Sequence, residues 1–178
     1  MDSVADPRAA TFEQAAREVI DPVRRFLARR TDPATAEDVL AEVLLVLWRR
    51  LDDVPEAVLP WTYGVARLCL ANAERGVRRQ GRLAARIAAV DPPRDVEPTE
   101  PDLAFVDAAL AGLPPADAEL LRLWAWEELG ANEIATVLDI SPNAASIRLH
   151  RAREKFKDAL RKQGHSPGHE GLNEGSGT

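Results

Sequence analysis

Residues Ala131–Leu160, ANEIATVLDISPNAASIRLHRAREKFKDAL, constrain the fold more tightly than any other stretch of the chain. They read as a short helix, a tight turn and a longer basic helix. In the short helix Ile134, Ala135 and Leu138 supply an apolar face, and the small Ala135 lets a second helix come close. Asp139 stands at the turn, where a left-handed backbone favours Gly but is tolerated by Asp better than by most residues. Ser141 is placed to cap the next helix and Pro142 to open it. Along that helix Ala145, Leu149, Ala152, Phe156 and Leu160 recur at helical spacing as one apolar stripe. Asn143, Ile147, His150, Arg151 and Glu154 lie roughly opposite, with Arg148 and Lys155 on a flank. Two helices joined in this way, the second one basic, have the form of a helix-turn-helix that reads a DNA major groove. Ile147 among polar groups suits contact with a thymine methyl. An ordinary amphipathic helix with a charged outer face is the competing reading of the same pattern.

Charge distribution favours nucleic acid despite a net charge of −6 over 178 residues. Between Trp61 and Val90 six arginines face a single acid, Glu74, for +5. Between Ser141 and Gln163 seven Lys and Arg face Glu154 and Asp158, again for +5, so the rest of the chain carries −16. Two basic helices in an acidic molecule suggest two DNA contacts and a separate surface for another partner. Hydrophobic content of 46% and charged content of 29% are those of a soluble globular protein. No apolar run approaches the roughly 20 residues that cross a bilayer, and the N-terminus lacks a signal-peptide core. No membrane insertion and a cytoplasmic location are therefore expected. Cys69, the single cysteine, permits no intrachain disulfide or cysteine-based zinc site and reads as a small buried hydrophobe.

Proline divides the chain. Asp91–Asp102, DPPRDVEPTEPD, holds four prolines, five acids and one Arg and cannot form a regular helix. It predicts a flexible acidic linker over 91–102 between two small helical domains, 8–90 and 103–163, with a disordered tail over 164–178. The expected fold is all-α. Helices are predicted near Thr11–Arg30, Pro33–Leu51, Pro60–Ala89, Leu103–Ala111, Pro115–Glu127, Ala131–Leu138 and Pro142–Lys162. His165 and His169 have the spacing of a helical metal pair, but the Pro and Gly between them forbid the helix, so no metal is expected. No cofactor motif is present.

In the second helix Val39, Val43, Val46, Leu47 and Leu51 supply a core face. Opposite lie Asp38, Ala41, Glu42, Leu45, Trp48, Arg49 and Asp52. Leu45 and Trp48 are costly to leave in water, so this strip either binds another protein or lies under another helix of the same domain. In the third helix Arg67, Arg75, Arg78, Arg82 and Arg86 share one face, with Gly64 and Ala71 leaving it low and open. A ridge of guanidiniums suits a phosphate backbone. Trp61 and Tyr63 either stack on an unpaired base or belong to the core.

Taken together, these segments resemble the extracytoplasmic function (ECF) sigma factors, the two-domain group of the sigma-70 family of bacterial transcription initiation factors. AEDVLAEVLLVLWRRLDD resembles the region 2 helix with its AED…QE…W pattern, and PWTYGVARLCLAN resembles the stretch that follows it. LAGLPPADAELLRLWAWEELGANEIATVLDISPNAASIRLHRAREKFKDAL is similar to region 4. The resemblance runs from about Phe12 to Leu160. It implies a three-helix region 2-like domain and a region 4-like helix-turn-helix domain, and no enzymatic activity. Asp38, Glu42, Leu45, Trp48 and Arg49 would dock on the β′ clamp helices of core RNA polymerase, and region 4 would meet the β flap. The loop Asp52–Pro60 would receive a flipped base of the −10 element. Trp61, Tyr63, Arg67, Asn72, Arg75, Arg78, Arg79 and Arg82 would hold the adjacent strand. Asn143, Ser146, Ile147, Arg148, His150 and Arg151 would sit in the −35 major groove. An anti-sigma factor is an implied partner, and capture of an unstacked base would drive promoter melting.

Several residues depart from the family pattern. Asn143-Ala144-Ala145-Ser146-Ile147-Arg148 stands where Gly-Thr-Val-Lys-Ser-Arg is common, Gly64 replaces a frequent Arg, and Leu68 a frequent Asn. The promoter sequence therefore does not carry over. A stand-alone dimeric helix-turn-helix regulator is the alternative function and predicts a palindromic site without polymerase. An enzyme is a weaker third reading, since only three histidines and no phosphate-loop motif are present.

Overall fold

The computed structural model describes the backbone over residues 6–85 and 101–164, and side chains over 6–79 and 106–162. The linker residues 91–100, the helix end at 86–89 with Arg86, and the tail 165–178 with His165 and His169 lie outside the described residues. Among the described residues the secondary structure is entirely helical. The helices are α1 (Pro7–Ala28), α2 (Pro33–Arg49), α3 (Val58–Ala85), α4 (Pro101–Ala111), α5 (Pro115–Ala125), α6 (Ala131–Leu138) and α7 (Pro142–Gly164), with a 3-10 turn at Leu51–Asp53 between α2 and α3. The sequence predicted each helix; the ends moved by up to four residues where a cap lay outside the apolar period. α1 begins at Pro7 because Asp6 accepts a hydrogen bond from the Arg8 amide at 3.0 Å and proline suits the first helical position. α4 begins at Pro101, two residues inside the expected linker, for the same proline reason. α2 starts at a similar cap. The Asp32 carboxylate accepts from the Thr35 hydroxyl at 2.6 Å and from the Thr35 and Ala34 amides at 3.1 Å. Those bonds, the hydroxyl's first, hold its carboxyl below the usual range.

Two bundles result. α1, α2 and α3 pack on one another through Val19, Val23, Phe26 and Leu27 of α1, Val39, Leu40, Val43 and Leu47 of α2, and Tyr63, Ala66, Cys69 and Leu70 of α3. Thr62, fully buried, keeps its hydroxyl satisfied by donating to the Val58 carbonyl at 2.8 Å. Burial pushes the Cys69 thiol up to about 11, with Glu42 adding to the effect, so it behaves as the expected buried hydrophobe. α4, α5 and α6 gather around α7, whose Ala145, Leu149 and Ala152 are buried and whose Phe156 packs at the margin. The bundles are in contact: α3 packs against α6, and the buried apolar side chains form one continuous cluster through both.

Two predictions test this packing. Leu47→Ala, at a fully buried position, should cost about 2–5 kcal/mol of stability by denaturant titration, whereas Leu45→Ala should stay within about 0.5 kcal/mol. Tyr63, the only tyrosine, has its phenol pushed up to about 12 by burial and secondarily by the Glu127 charge. The neutral form is therefore the folded form, and stability contributed by Tyr63 is present below pH 10 and lost as pH rises through about 12. A phenolate absorbance titration should show ionisation near that upper value while the fold persists, and near 10 in denaturant.

Candidate nucleic-acid interface

The helix-turn-helix is built from local geometry that the sequence specifies. Asp139 has φ 52° and ψ 52°, the left-handed conformation expected at the turn. The Ile140 amide donates to the Ala135 carbonyl at 3.0 Å and the Asp139 amide to that of Thr136 at 3.4 Å, which closes α6. Ser141 Oγ then accepts from the Ala144 amide at 3.2 Å and α7 begins at Pro142. With Ala145, Leu149 and Ala152 turned inward, Asn143, Ser146, Ile147, Arg148, His150 and Arg151 are all exposed on the outer surface of α7. Ile147 is 44% exposed among these polar groups. Lys157 holds the Glu154 carboxyl below its ordinary range through a 2.7 Å hydrogen bond, which neutralises an acid on this basic helix.

On α3 the arginine face is partly occupied. Arg67, Asn72, Arg75, Arg78 and Arg79 are exposed, with the Arg75 guanidinium bonded to Asn72 and Arg78 paired with Glu74 at 3.7 Å. The Arg82 side chain lies outside the described residues. Gly64, expected to leave this face open, instead receives α6: a Cβ there would stand 3.2 Å from the Val137 carbonyl oxygen. Tyr63 is also not available for stacking in this arrangement. It is 3% exposed, with its ring 5.1 Å from that of Phe26, because Tyr63, Ala66 and Leu70 share the buried face of α3. Trp61 is half-buried against the same core. α7 comes close to α3, and Arg148, Arg151 and Lys155 line a cleft of about 360 Å³ together with Arg67. Asp117 and Glu119 of α5 border it, and Asp117 pairs with Lys155.

The outer strip of α2 forms a different surface. Asp38, Glu42, Leu45, Trp48 and Arg49 are exposed along one side, Leu45 at 54% and Trp48 at 37%. Trp48 has more support than its sequence position suggested. Phe12 of α1 meets it edge-on at 5.2 Å, and Arg8 lies 5.4 Å over its ring while donating to the Trp48 carbonyl at 2.9 Å and pairing with Asp52. α1 thus covers one edge of Trp48, and Leu45 remains in water. Arg8 and Phe12 carried no periodic signal toward α2, since their partners lie some 36 to 44 residues away.

Sequence reasoning also missed a charged cluster between the bundles. Glu127, whose side chain is 3% exposed, accepts from Arg30 at 3.0 Å and Arg29 at 3.1 Å. Arg30 reaches Glu119 at 3.4 Å and lies 3.6 Å over the Phe26 ring. The described residues contain no metal-binding group of His, Cys, Asp and Glu, and no described helix is long and apolar enough to cross a membrane.

Known proteins resemble the chain in both sequence and fold. Residues 106–156 match the family described as Sigma-70, region 4. A probable RNA polymerase sigma factor, RfaY, of Xanthomonas campestris pv. campestris is 29% identical over 145 residues, covering 75% of this chain but only 36% of RfaY's own length. The RNA polymerase sigma factor CarQ of Myxococcus xanthus is 29% identical over 171 residues, covering 90% of this chain and 95% of CarQ. Among solved structures, the sigma factor RpoE of Bartonella quintana, in complex with the anti-sigma factor NepR, aligns with a TM-score of 0.57 at 18% identity over 84% of this chain and 96% of that one. CnrH in complex with the cytosolic domain of CnrY aligns with a TM-score of 0.51 at 22% identity over 88% and 99%. Residues 106–156 thus carry the match to sigma-70 region 4, and the helical fold around them is the fold of the RpoE and CnrH structures.

Proposed function

We propose that the chain binds core RNA polymerase through the outer strip of α2, directs it to promoters through −35 contacts from α7 and −10 contacts from α3, and promotes melting without enzymatic chemistry of its own. The observation that carries this reading is the exposed set Asn143, Ser146, Ile147, Arg148, His150 and Arg151 on a capped helix inside the region 4 match. The first turns of such a helix enter the major groove, where Arg148 or Arg151 can make paired bonds to guanine and Ile147 can meet a thymine methyl. The arginines of α3 supply the sequence-independent phosphate grip, and the polar Asn72 stands among them.

The α2 strip has the chemistry of a protein-binding surface. Leu45 and Trp48 form an apolar centre, and Asp38, Glu42 and Arg49 form a charged rim. The 3-10 turn and the following residues to Pro60 would receive the flipped base, since holding an unstacked base stabilises the open strand. The three-helix bundle and the helix-turn-helix bundle act as the two grips, over 8–90 and 103–163, and the 91–102 segment joins them. An anti-sigma factor is a proposed further partner, by likeness to the RpoE and CnrH complexes. A cytoplasmic location follows from the same role.

Titration against core RNA polymerase lacking any sigma factor tests the first step; no measurable binding would contradict the reading. Within that titration Leu45→Ala should weaken binding by about 1–2 kcal/mol, near tenfold, with stability unchanged. Trp48→Ala should weaken binding and also lower stability, since it removes the contacts to Phe12 and Arg8. Arg151→Ala should reduce −35-dependent binding by about 1–3 kcal/mol if the side chain reads a base, and an equal loss on every duplex would make it a phosphate contact.

A further inference from the structure

Arg30 is not accounted for by either DNA surface or by the outer strip of α2. Its side chain is 10% exposed, and its terminal nitrogens go to Glu127 at 3.0 Å, Glu119 at 3.4 Å and the Phe26 carbonyl at 3.0 Å. Its Nε is buried without a hydrogen-bond partner. A buried guanidinium N–H left unpaired costs free energy until an oxygen reaches it.

Arg30 stands in the wall of a cavity of about 600 Å³ between α1, α3 and α5. Three more guanidiniums line it, those of Arg29, Arg67 and Arg122. Only two acids share the wall, and both are engaged: Glu74 pairs with Arg78 at 3.7 Å and Glu119 with Arg30. Arg29 is held by Glu127. Arg67 and Arg122 have no acid partner among the described residues, so the wall keeps uncompensated positive charge.

The first turn of α5 adds to the attraction for an anion. Pro115 and Ala116 line the cavity, and α5 begins after Pro114 with no side-chain cap. The Asp117 and Ala118 amides donate to the Pro114 carbonyl, which leaves the Ala116 amide as a donor at the positive end of the helix. Guanidinium forks beside an uncapped helix start suit phosphate oxygens. The volume is more than a single phosphate fills and lies within the about 300–1,000 Å³ of small-molecule sites. Leu70, Ala71 and Pro115 give the same wall an apolar part for a carbon skeleton.

We propose that this cavity binds a small organic polyphosphate of the size of a nucleoside diphosphate, its phosphates held by Arg30, Arg67, Arg122 and the start of α5. A small turn of the Arg30 side chain presents Nε to a phosphate oxygen. Arg67 is the one residue shared with the proposed −10 contacts, and the site does not depend on the sigma-factor reading.

The test is calorimetric titration of the full chain with ADP, and separately with orthophosphate, at about 0.15 M salt, where attraction between distant charges is largely screened. ADP should bind one per chain, and orthophosphate about tenfold more weakly or less. Arg122→Gln and Arg30→Gln should each weaken ADP binding about tenfold, the loss of a charge-assisted hydrogen bond. Arg67→Gln carries the comparison if Arg30→Gln does not fold. Arg50→Gln, at an exposed arginine outside the cavity, should leave the affinity unchanged. No binding of ADP overturns the proposal, as does an affinity that neither Arg122→Gln nor Arg67→Gln lowers. An equal loss with Arg50→Gln reduces the effect to general charge and overturns it too. Orthophosphate binding as tightly as ADP overturns the polyphosphate class.

Discussion

Where α3 crosses α6 one of the two helices offers no side chain. Gly64 lets the Val137 carbonyl come within 3.2 Å of where a Cβ would be, and the relation between the bundles follows from that contact. With α6 seated there, Glu127 reaches Arg29 and Arg30, Glu119 comes within 3.4 Å of Arg30, and the buried apolar side chains of the two bundles form one cluster. The same contact turns α7 toward α3, so that the cations of both basic helices share one cleft. A Cβ at this position would stand closer to the Val137 carbonyl oxygen than side chains ordinarily do, so α6 would have to shift to accept one.

The bundles themselves rest on ordinary apolar packing, and this division lets surface residues be spent on recognition. Ala145, Leu149 and Ala152 fix the azimuth of α7, and that azimuth alone decides that Ser146, Ile147 and Arg151 face outward. In α2 the buried Val39, Val43 and Leu47 likewise set Leu45 and Trp48 on the far side. Recognition by such surfaces needs no bound cofactor or nucleophile; its free energy comes from fixed positions of exposed groups. That accords with the role proposed for the chain.

Much of this was legible in the sequence, and the limits have physical causes. Helix existence, the left-handed Asp139 and the Ser141-Pro142 start are local, set by caps and backbone preferences within a few residues. The Ala145–Leu149–Ala152 stripe and the exposed α2 strip follow from the 3.6-residue period. Tyr63, left open between core and base and then placed by the resemblance at the −10 strand, is buried because it shares a helical face with Ala66 and Leu70. Gly64 was not legible. A glycine on a basic face reads equally as room for DNA or as room for another helix, and only the tertiary arrangement decides. Glu127 with Arg30 lies 97 residues apart in sequence, and no periodicity connects them.

In the proposed role this chain supplies promoter choice to a polymerase that lacks it. Core RNA polymerase can be incubated with genomic fragments, with and without the chain, and the 5′ ends of the transcripts sequenced. The account predicts a new and limited set of start sites, preceded by two shared elements at fixed spacing, and loss of that set with Arg151→Ala. Start sites identical to those of core polymerase alone would contradict it.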